Sequence, residues 1–246
     1  MGESETIYGI HAVSALLDQA PKRLQELLLL QQRDVQRLRA LEARATEHGI
    51  NSRRVAREAL DELVDGNHQG AVARCVPRQT MPENQLAAFV AAVDGTPLLL
   101  LLDGVTDPHN LGACLRSAEA SGAHAVIIPK DKSADITALV RKIASGAAEF
   151  IAVFKVTNLA RTMADLQQQG IWLVGLAGEA ETSLYDIDLS GPVGLVLGAE
   201  GSGLRRLTRE KCDYLAGIPM PGSVASLNVS VATGVCLFEA VRQRGA

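Results

Sequence analysis

The chain has 246 residues, enough for one large domain or for a small one beside a medium one. Hydrophobic side chains make up 47%, which excludes a disordered chain, and aromatics only 3%, which argues against a single-strand binder built on stacked bases. The formal charge of −4 gives no general attraction to nucleic acid; residues 1–80 are neutral and the deficit lies in 81–246.

In chain order, the start Met1-Gly2-Glu3-Ser4-Glu5 is acidic and has no apolar signal core. Ile10, Val13, Leu16 and Leu17 have helical spacing, and residues 27–30 suit a buried strand. Residues 35–48 read as a helix with Leu38 and Leu41 inward and Gly49 as its stop. Residues 71–76 read as a closing strand. Lys22 and Arg23, and the closer group Arg53, Arg54 and Arg57, are the places for a phosphate-binding face, although from charge alone an ordinary solvated surface is the preferred reading. Pro77, Pro82 and Pro97 with polar residues between them mark a linker over 77–95, separating a small α/β unit at 1–76 from a larger one at 96–246.

From Leu98 onward, strands and helices alternate. Strands are expected at 98–102, 125–129, 151–156, 171–177, 193–197 and 215–218, and helices at 111–121, 136–145, 159–169, 204–211 and 227–244. Asn158 is placed to cap the helix that Gly170 ends, and the last helix carries Val231, Val235, Phe238 and Val241 as an apolar series. Apolar strands without strict alternation indicate a parallel sheet covered on both faces. Cys75, Cys114, Cys212 and Cys236 form no C-x-x-C pair and suit neither zinc nor a disulfide framework. Cys114 and Cys236 read as small core residues, no metal is expected, and no stretch is apolar for long enough to span a bilayer, so a cytoplasmic protein is expected.

Three segments carry chemistry. Asp107-Pro108-His109-Asn110-Leu111-Gly112-Ala113-Cys114-Leu115-Arg116 follows an apolar strand; Asn110 reads as a helix N-cap, and Arg116 is close enough to two turns away to share its face. Gly198-Ala199-Glu200-Gly201-Ser202-Gly203 is a G-x-x-G-x-G loop whose backbone N–H groups suit an anion, but it has neither the Lys-Ser/Thr of a P-loop nor the order of a dinucleotide fingerprint. Ile218-Pro219-Met220-Pro221-Gly222-Ser223-Val224-Ala225-Ser226-Leu227-Asn228 precedes the last helix, whose exposed N–H groups suit a polar ligand, although taken singly the segment is better read as simple capping by Ser226 or Asn228. Taken singly, each segment has an ordinary structural reading. Together they sit where strands end, which is where open α/β sheets bind ligands.

In this order and at these intervals the segments resemble the SpoU (TrmH-type) branch of the SPOUT methyltransferases, S-adenosylmethionine-dependent enzymes that methylate the ribose 2′-hydroxyl of RNA. Ile7-Tyr8-Gly9-Ile10-His11-Ala12-Val13 and His68-Gln69-Gly70 look like that family's substrate-binding domain. Leu102-Asp103-Gly104-Val105-Thr106-Asp107-Pro108-His109-Asn110 and Val156-Thr157-Asn158-Leu159-Ala160-Arg161-Thr162-Met163 are similar to its members that act on a guanosine of bacterial large-subunit (23S) rRNA, in the peptidyl-transferase region. The resemblance implies a mostly parallel α/β catalytic domain with a deep trefoil knot, and an N-terminal α/β domain like ribosomal protein L30e that binds rRNA. It implies S-adenosylmethionine held by Gly198, Ile218 and Leu227, and active-site roles for Asn110, Arg116, Glu200, Ser226 and Asn228. It also implies a homodimer through the catalytic domain, acting on 23S rRNA or a large-subunit precursor. Arginine is almost never deprotonated, so Arg116 is read as stabilising a developing alkoxide, with a proton-abstracting Arg116 as the rival. His109 is read as a turn residue. The alternatives are a tRNA ribose methyltransferase of the same family, a non-catalytic ribosome-assembly factor, and a nicotinamide oxidoreductase, the last disfavoured by the missing early G-x-G-x-x-G.

Overall fold

Uninterrupted apolar runs in this chain become the strands of a parallel sheet, and shorter mixed runs form a second, smaller sheet. The computed structural model describes residues 4–31 and 36–245. In chain order the elements are β1 (Glu5–Tyr8), α1 (Ile10–Gln19), β2 (Leu24–Leu30), α2 (Gln36–Glu47), β3 (Asn51–Val55), α3 (Arg57–Asp61) and β4 (Ala71–Cys75). There follow β5 (Met81–Pro82), α4 (Leu86–Ala91), β6 (Leu98–Asp103), α5 (Pro108–Ala120), β7 (Ala125–Pro129), α6 (Ala138–Ile143), β8 (Ala152–Val156) and α7 (Leu159–Gln168). The chain closes with β9 (Trp172–Leu176), β10 (Val193–Gly198), α8 (Arg206–Glu210), β11 (Tyr214–Ala216) and α9 (Val229–Gln243). They divide into two units: Met1–Gln79 with Ile136–Phe150, and Thr80–Asp135 with Ile151–Ala246.

The first unit has a four-stranded sheet in the order β1-β4-β2-β3. β4 runs antiparallel to β1 and β2, and β2 parallel to β3. Side chains on a strand alternate between faces. Leu27 and Leu29 of β2 therefore join a core with Val13, Leu16, Leu38 and Leu41, while Leu28 packs on the other side with Tyr8, Leu60 and Val72. The expected helix at 35–48 corresponds to α2; its first residue, Val35, lies outside the described residues. Residues 136–150, inserted between β7 and β8 in sequence, are held here by a buried ion cluster. Arg141 donates to Glu149 (2.6 Å), to Glu5 and to the Arg78 carbonyl (3.0 Å), and Arg23 donates to Glu149 (2.6 Å).

In the second unit seven strands run in the order β11-β9-β10-β6-β7-β8-β5, and every neighbouring pair is parallel. This is the α/β architecture that the doubly buried strands predict: all of β6 and β7 is buried. Leu99, Leu101, Ile127 and Val196 pack on one side with Met163 and Leu166 of α7. Residues 80–95, within the expected linker, hold β5 and α4. Pro82 is accommodated because β5 is an edge strand, and Leu86 and Val90, four residues apart, enter the core. Asn158 caps α7 by accepting from the Arg161 N–H at 3.1 Å. The apolar series on α9 faces outward: Val231 and Phe238 are 52% and 49% exposed, while Val229, Thr233, Cys236, Leu237 and Ala240 form the buried face.

The chain order reverses at β6 and β10: β7 and β8 lie on one side of β6, β9 and β10 on the other. A parallel sheet gathers its strand ends at one edge, and a reversal opens a crevice there.

Candidate functional site at the strand ends

The loop after β6 starts the site. Asp107, not Asn110, caps α5: its carboxylate accepts from the His109 and Asn110 N–H groups, both at 3.2 Å. Pro108 takes the first helical position, where its missing N–H costs nothing. Asn110 is thereby freed from capping and sits buried in the first turn, 8% exposed. Its Nδ2 donates to Glu200 Oε2 at 3.2 Å, and its Oδ1 accepts from Asn228 Nδ2 at 2.9 Å. Asn228 Oδ1 in turn accepts from the Ser230 N–H (2.9 Å) and hydroxyl (2.6 Å), capping α9. A carboxylate only accepts, so Glu200 fixes the orientation of both amides in this chain of bonds. One relay thus ties together the loops that follow β6, β10 and β11.

Gly198 ends β10 against the loop it begins. A Cβ there would lie 2.0 Å from the Gly203 carbonyl carbon, so only glycine fits. The loop closes by the Gly203 N–H donating to the Ala199 carbonyl at 2.9 Å. Beneath it is a cavity of about 570 Å³, within the size range of small-molecule sites. Gly198, Ile218 and Leu227 line it, and so do Glu200 and Ser226. The wall also includes Leu176, Ala177, Gly178 and Glu179, the end of β9. This fourth strand end was missed in the sequence. Its signal was there, an apolar run closing on glycine, but without the polar cluster that marked the other three. Glu179 pairs with Arg209 of α8, which also lines the cavity. Its carboxyl is held below the usual range by its own backbone N–H and by Arg209.

The structure therefore joins Asn110, Glu200 and Asn228 by hydrogen bonds, and puts Glu200 and Ser226 on the cavity wall. It does not join Arg116 to them. Six residues is about 1.7 turns of helix, so Arg116 lies on another face of α5 from the buried Asn110. It is exposed and makes no hydrogen bond or ion pair with the described residues. His109 is also exposed; its backbone N–H donates to Asp107, and its ring makes no hydrogen bond or ion pair among the described residues. The arginines expected to form a phosphate face are paired. Arg53 meets Glu26 at 2.6 Å, Arg54 meets Glu42 at 2.7 Å, and Arg57 meets Asp61 at 3.5 Å.

Burial pushes the Cys114 thiol up to about 11, and those of Cys75, Cys212 and Cys236 up to about 12, so none is a thiolate nucleophile near neutrality. Among the described residues no group of three or more His, Cys, Asp or Glu side chains is placed to hold a metal, and no helix is long and apolar enough to cross a membrane.

The SpoU rRNA Methylase family matches residues 97–238, and the RNA 2'-O ribose methyltransferase substrate binding family matches residues 6–81. The chain belongs to the SpoU methylase family. It is 57% identical over 242 residues to the 23S rRNA (guanosine-2'-O-)-methyltransferase RlmB of Escherichia coli K12, covering 98% of this chain and 99% of that protein. It is also 57% identical to RlmB of Pseudomonas syringae pv. tomato, covering 100% of this chain and 98% of that protein. Among solved structures, the SpoU methyltransferase AviRb from Streptomyces viridochromogenes, in complex with the cofactor AdoMet, is 27% identical. It has a TM-score of 0.81 and covers 99% of this chain and 91% of its own. A TrmH/SpoU tRNA modifying enzyme from A. aeolicus is 30% identical, with a TM-score of 0.57, over 66% of this chain and 82% of its own.

Proposed function

We propose that this protein transfers a methyl group from S-adenosylmethionine to the ribose 2′-hydroxyl of a guanosine in bacterial 23S rRNA, in the peptidyl-transferase region. The observation that carries the reading is the hydrogen-bonded line Glu200–Asn110–Asn228 beside a cavity closed by Gly198, in a chain matching two RlmB proteins over almost its full length. A tRNA substrate is the weaker reading, because the tRNA-modifying neighbour covers only 66% of the chain.

The cavity suits the donor. Gly198 leaves main chain as the contact surface, and Ile218 and Leu227 offer apolar walls for an adenosine group. Glu200, on the same wall, is compatible with a cationic sulfonium. S-adenosylmethionine supplies a sulfonium-activated methyl group open to in-line displacement by oxygen. The protein must orient the ribose and stabilise charge as its hydroxyl loses a proton. Glu200 and Asn228, locked by Asn110, orient the sugar, and Ser226 bonds to the substrate from the cavity rim. Arg116 is the cation for the developing alkoxide: no carboxylate among the described residues neutralises it. It acts by charge, and substrate phosphate accepts or relays the proton; an Arg116 that abstracts the proton itself remains the rival.

The same reading assigns residues 1–76 to rRNA binding on an L30e-like domain, 77–95 to the connection and 96–246 to the SPOUT catalytic domain, with the trefoil knot at the carboxyl end of its sheet. It assigns a cytoplasmic homodimer. Support for the dimer is the outward apolar series of α9, Val231 and Phe238 with Val235 and Val241. Phe238→Glu is expected to give a monomer by sedimentation, and an unchanged oligomer would remove this face. Mapping 2′-O-methyl groups on 23S rRNA with and without the protein tests the activity. The reading requires one guanosine to lose its mark, and an unchanged map contradicts it.

A further inference from the structure

The acid that ends β6 takes no part in the relay. Asp103 is 1% exposed and pairs in register with Gly198 of β10. Its Oδ2 accepts from the Arg205 N–H at 2.9 Å. Its Oδ1 lies 3.4 Å from Arg205 Nη1 and has no hydrogen-bond partner among the described residues. A carboxylate this buried needs a cation beside it. Arg205 supplies that charge while its side chain stays 46% exposed. Gly104, at φ +85°, makes the space: a Cβ there would lie 2.9 Å from Arg205 Nη2. One side of the guanidinium thus faces Asp103 at ion-pair distance, and Nη2 has no acceptor among the described residues.

The loop after the adjacent strand adds two more cations. Its Ala134 N–H and Ser133 hydroxyl donate to the Val105 carbonyl at 2.8 and 3.3 Å, which holds it against the loop after β6. Lys130 and Lys132 are exposed on it, with no ion pair among the described residues, and they outweigh the single Asp131 between them. Nearby arginines of the same unit are spent on carboxylates, Arg206 on Glu210 and Arg161 on Glu83. Arg205, Lys130 and Lys132 therefore form a cationic rim at the carboxyl ends of β6 and β7, outside the cavity.

We propose that Arg205, Lys130 and Lys132 grip the phosphate backbone of the substrate RNA beside the ribose to be methylated, with buried Asp103 as the positioning residue for Arg205. The proposal rests on the methyl-transfer reading above. A guanidinium drawn to one side by a buried carboxylate, which also holds its backbone N–H, turns its outward N–H groups to solvent, where a phosphate can take them.

The test uses the full-length protein, a 23S rRNA fragment and S-adenosylmethionine. Arg205→Gln is expected to weaken RNA binding roughly tenfold and raise KM for RNA with kcat preserved. The triple variant Arg205→Gln, Lys130→Gln, Lys132→Gln is expected to lower the slope of log affinity against log salt by about 2, at about 0.7 per lost phosphate contact. Donor affinity by calorimetry stays at the wild-type value. Asp103→Asn, which keeps an acceptor for the Arg205 N–H, gives a smaller loss of the same kind, and adding it to Arg205→Gln costs nothing more. An unchanged salt slope in the triple variant overturns the proposal. So does a loss of donor affinity without loss of RNA affinity, because Arg205 would then merely brace the loop. Failure of the parent reading registers separately, as a wild-type protein that binds no donor.

Discussion

In the four-stranded sheet of the first unit the strands mix directions, so its connections leave from both ends, and several of its charged residues pair with one another. Arg53 of β3 meets Glu26 of β2, and Arg141, Arg23, Glu5 and Glu149 neutralise one another inside. In the seven-stranded sheet of the second unit every strand runs the same way, so loops 90 to 118 residues apart in sequence open at one edge. Asn110 meets Glu200 and Asn228 there, and Asp103 meets Arg205. Topology, more than composition, decides where this chain places unspent polar groups. The first unit pairs Arg53, Arg54 and Arg57 with carboxylates, while the second leaves Arg116, Lys130 and Lys132 exposed with no ion pair among the described residues.

The comparison breaks most sharply at Gly198. Gly198→Ala is expected to remove donor binding in calorimetry altogether, because the new methyl would sit 2.0 Å from the Gly203 carbonyl carbon. Binding within tenfold of wild type would mean that the loop is not a fitted wall. Asn110→Ala should come next. It cuts the relay at its middle and is expected to lower single-turnover methylation by about 10²–10³, as for a lost oxyanion-type donor, while circular dichroism stays native. In the first unit the matching probe is Arg141→Ala, which removes a buried cation from Glu5 and leaves Glu149 with Arg23 alone. It is expected to cost about 3–5 kcal/mol in denaturant unfolding; a cost under about 1 kcal/mol would mean that the cluster is wet. Arg53→Ala breaks a partly exposed pair and is expected to cost about 0–1 kcal/mol.

The smallest effect sharpens the comparison through pH. Glu239 accepts from Arg242 and Gln243, and the Arg242 guanidinium holds its carboxyl down to about 2. A depressed folded-state value means the pair contributes above the unfolded carboxyl's range, near 4.3, and that the contribution is lost as pH falls towards 2. Glu239→Gln is therefore expected to be less stable than wild type at pH 7 and equal to it near pH 2. A gap that persists at pH 2 would point to packing instead of charge.

Much of this was legible in the sequence. Residues 98–102 and 193–197 could hardly be anything but buried parallel strands, and Asn158 and Gly170 bracketed α7 correctly. β3 escaped notice because an edge strand written Asn-Ser-Arg-Arg-Val carries no apolar run. Asn110 was misread as the cap because residue type alone does not say where a helix begins. Pro108, favoured at the first helical position, was the better marker and points back to Asp107. The outward series on α9 shows that apolar spacing finds a face without saying what covers it. The Asp103–Arg205 pair was invisible because 101 residues separate two partners that only the β6–β10 register brings together.

The most direct test is a crystal structure of the protein with S-adenosylhomocysteine, the donor without its methyl group. The account predicts density in the cavity, against Gly198, Ile218 and Leu227, with the Glu200–Asn110–Asn228 line intact beside it. Ligand bound elsewhere, or that line broken when the cavity fills, would contradict it.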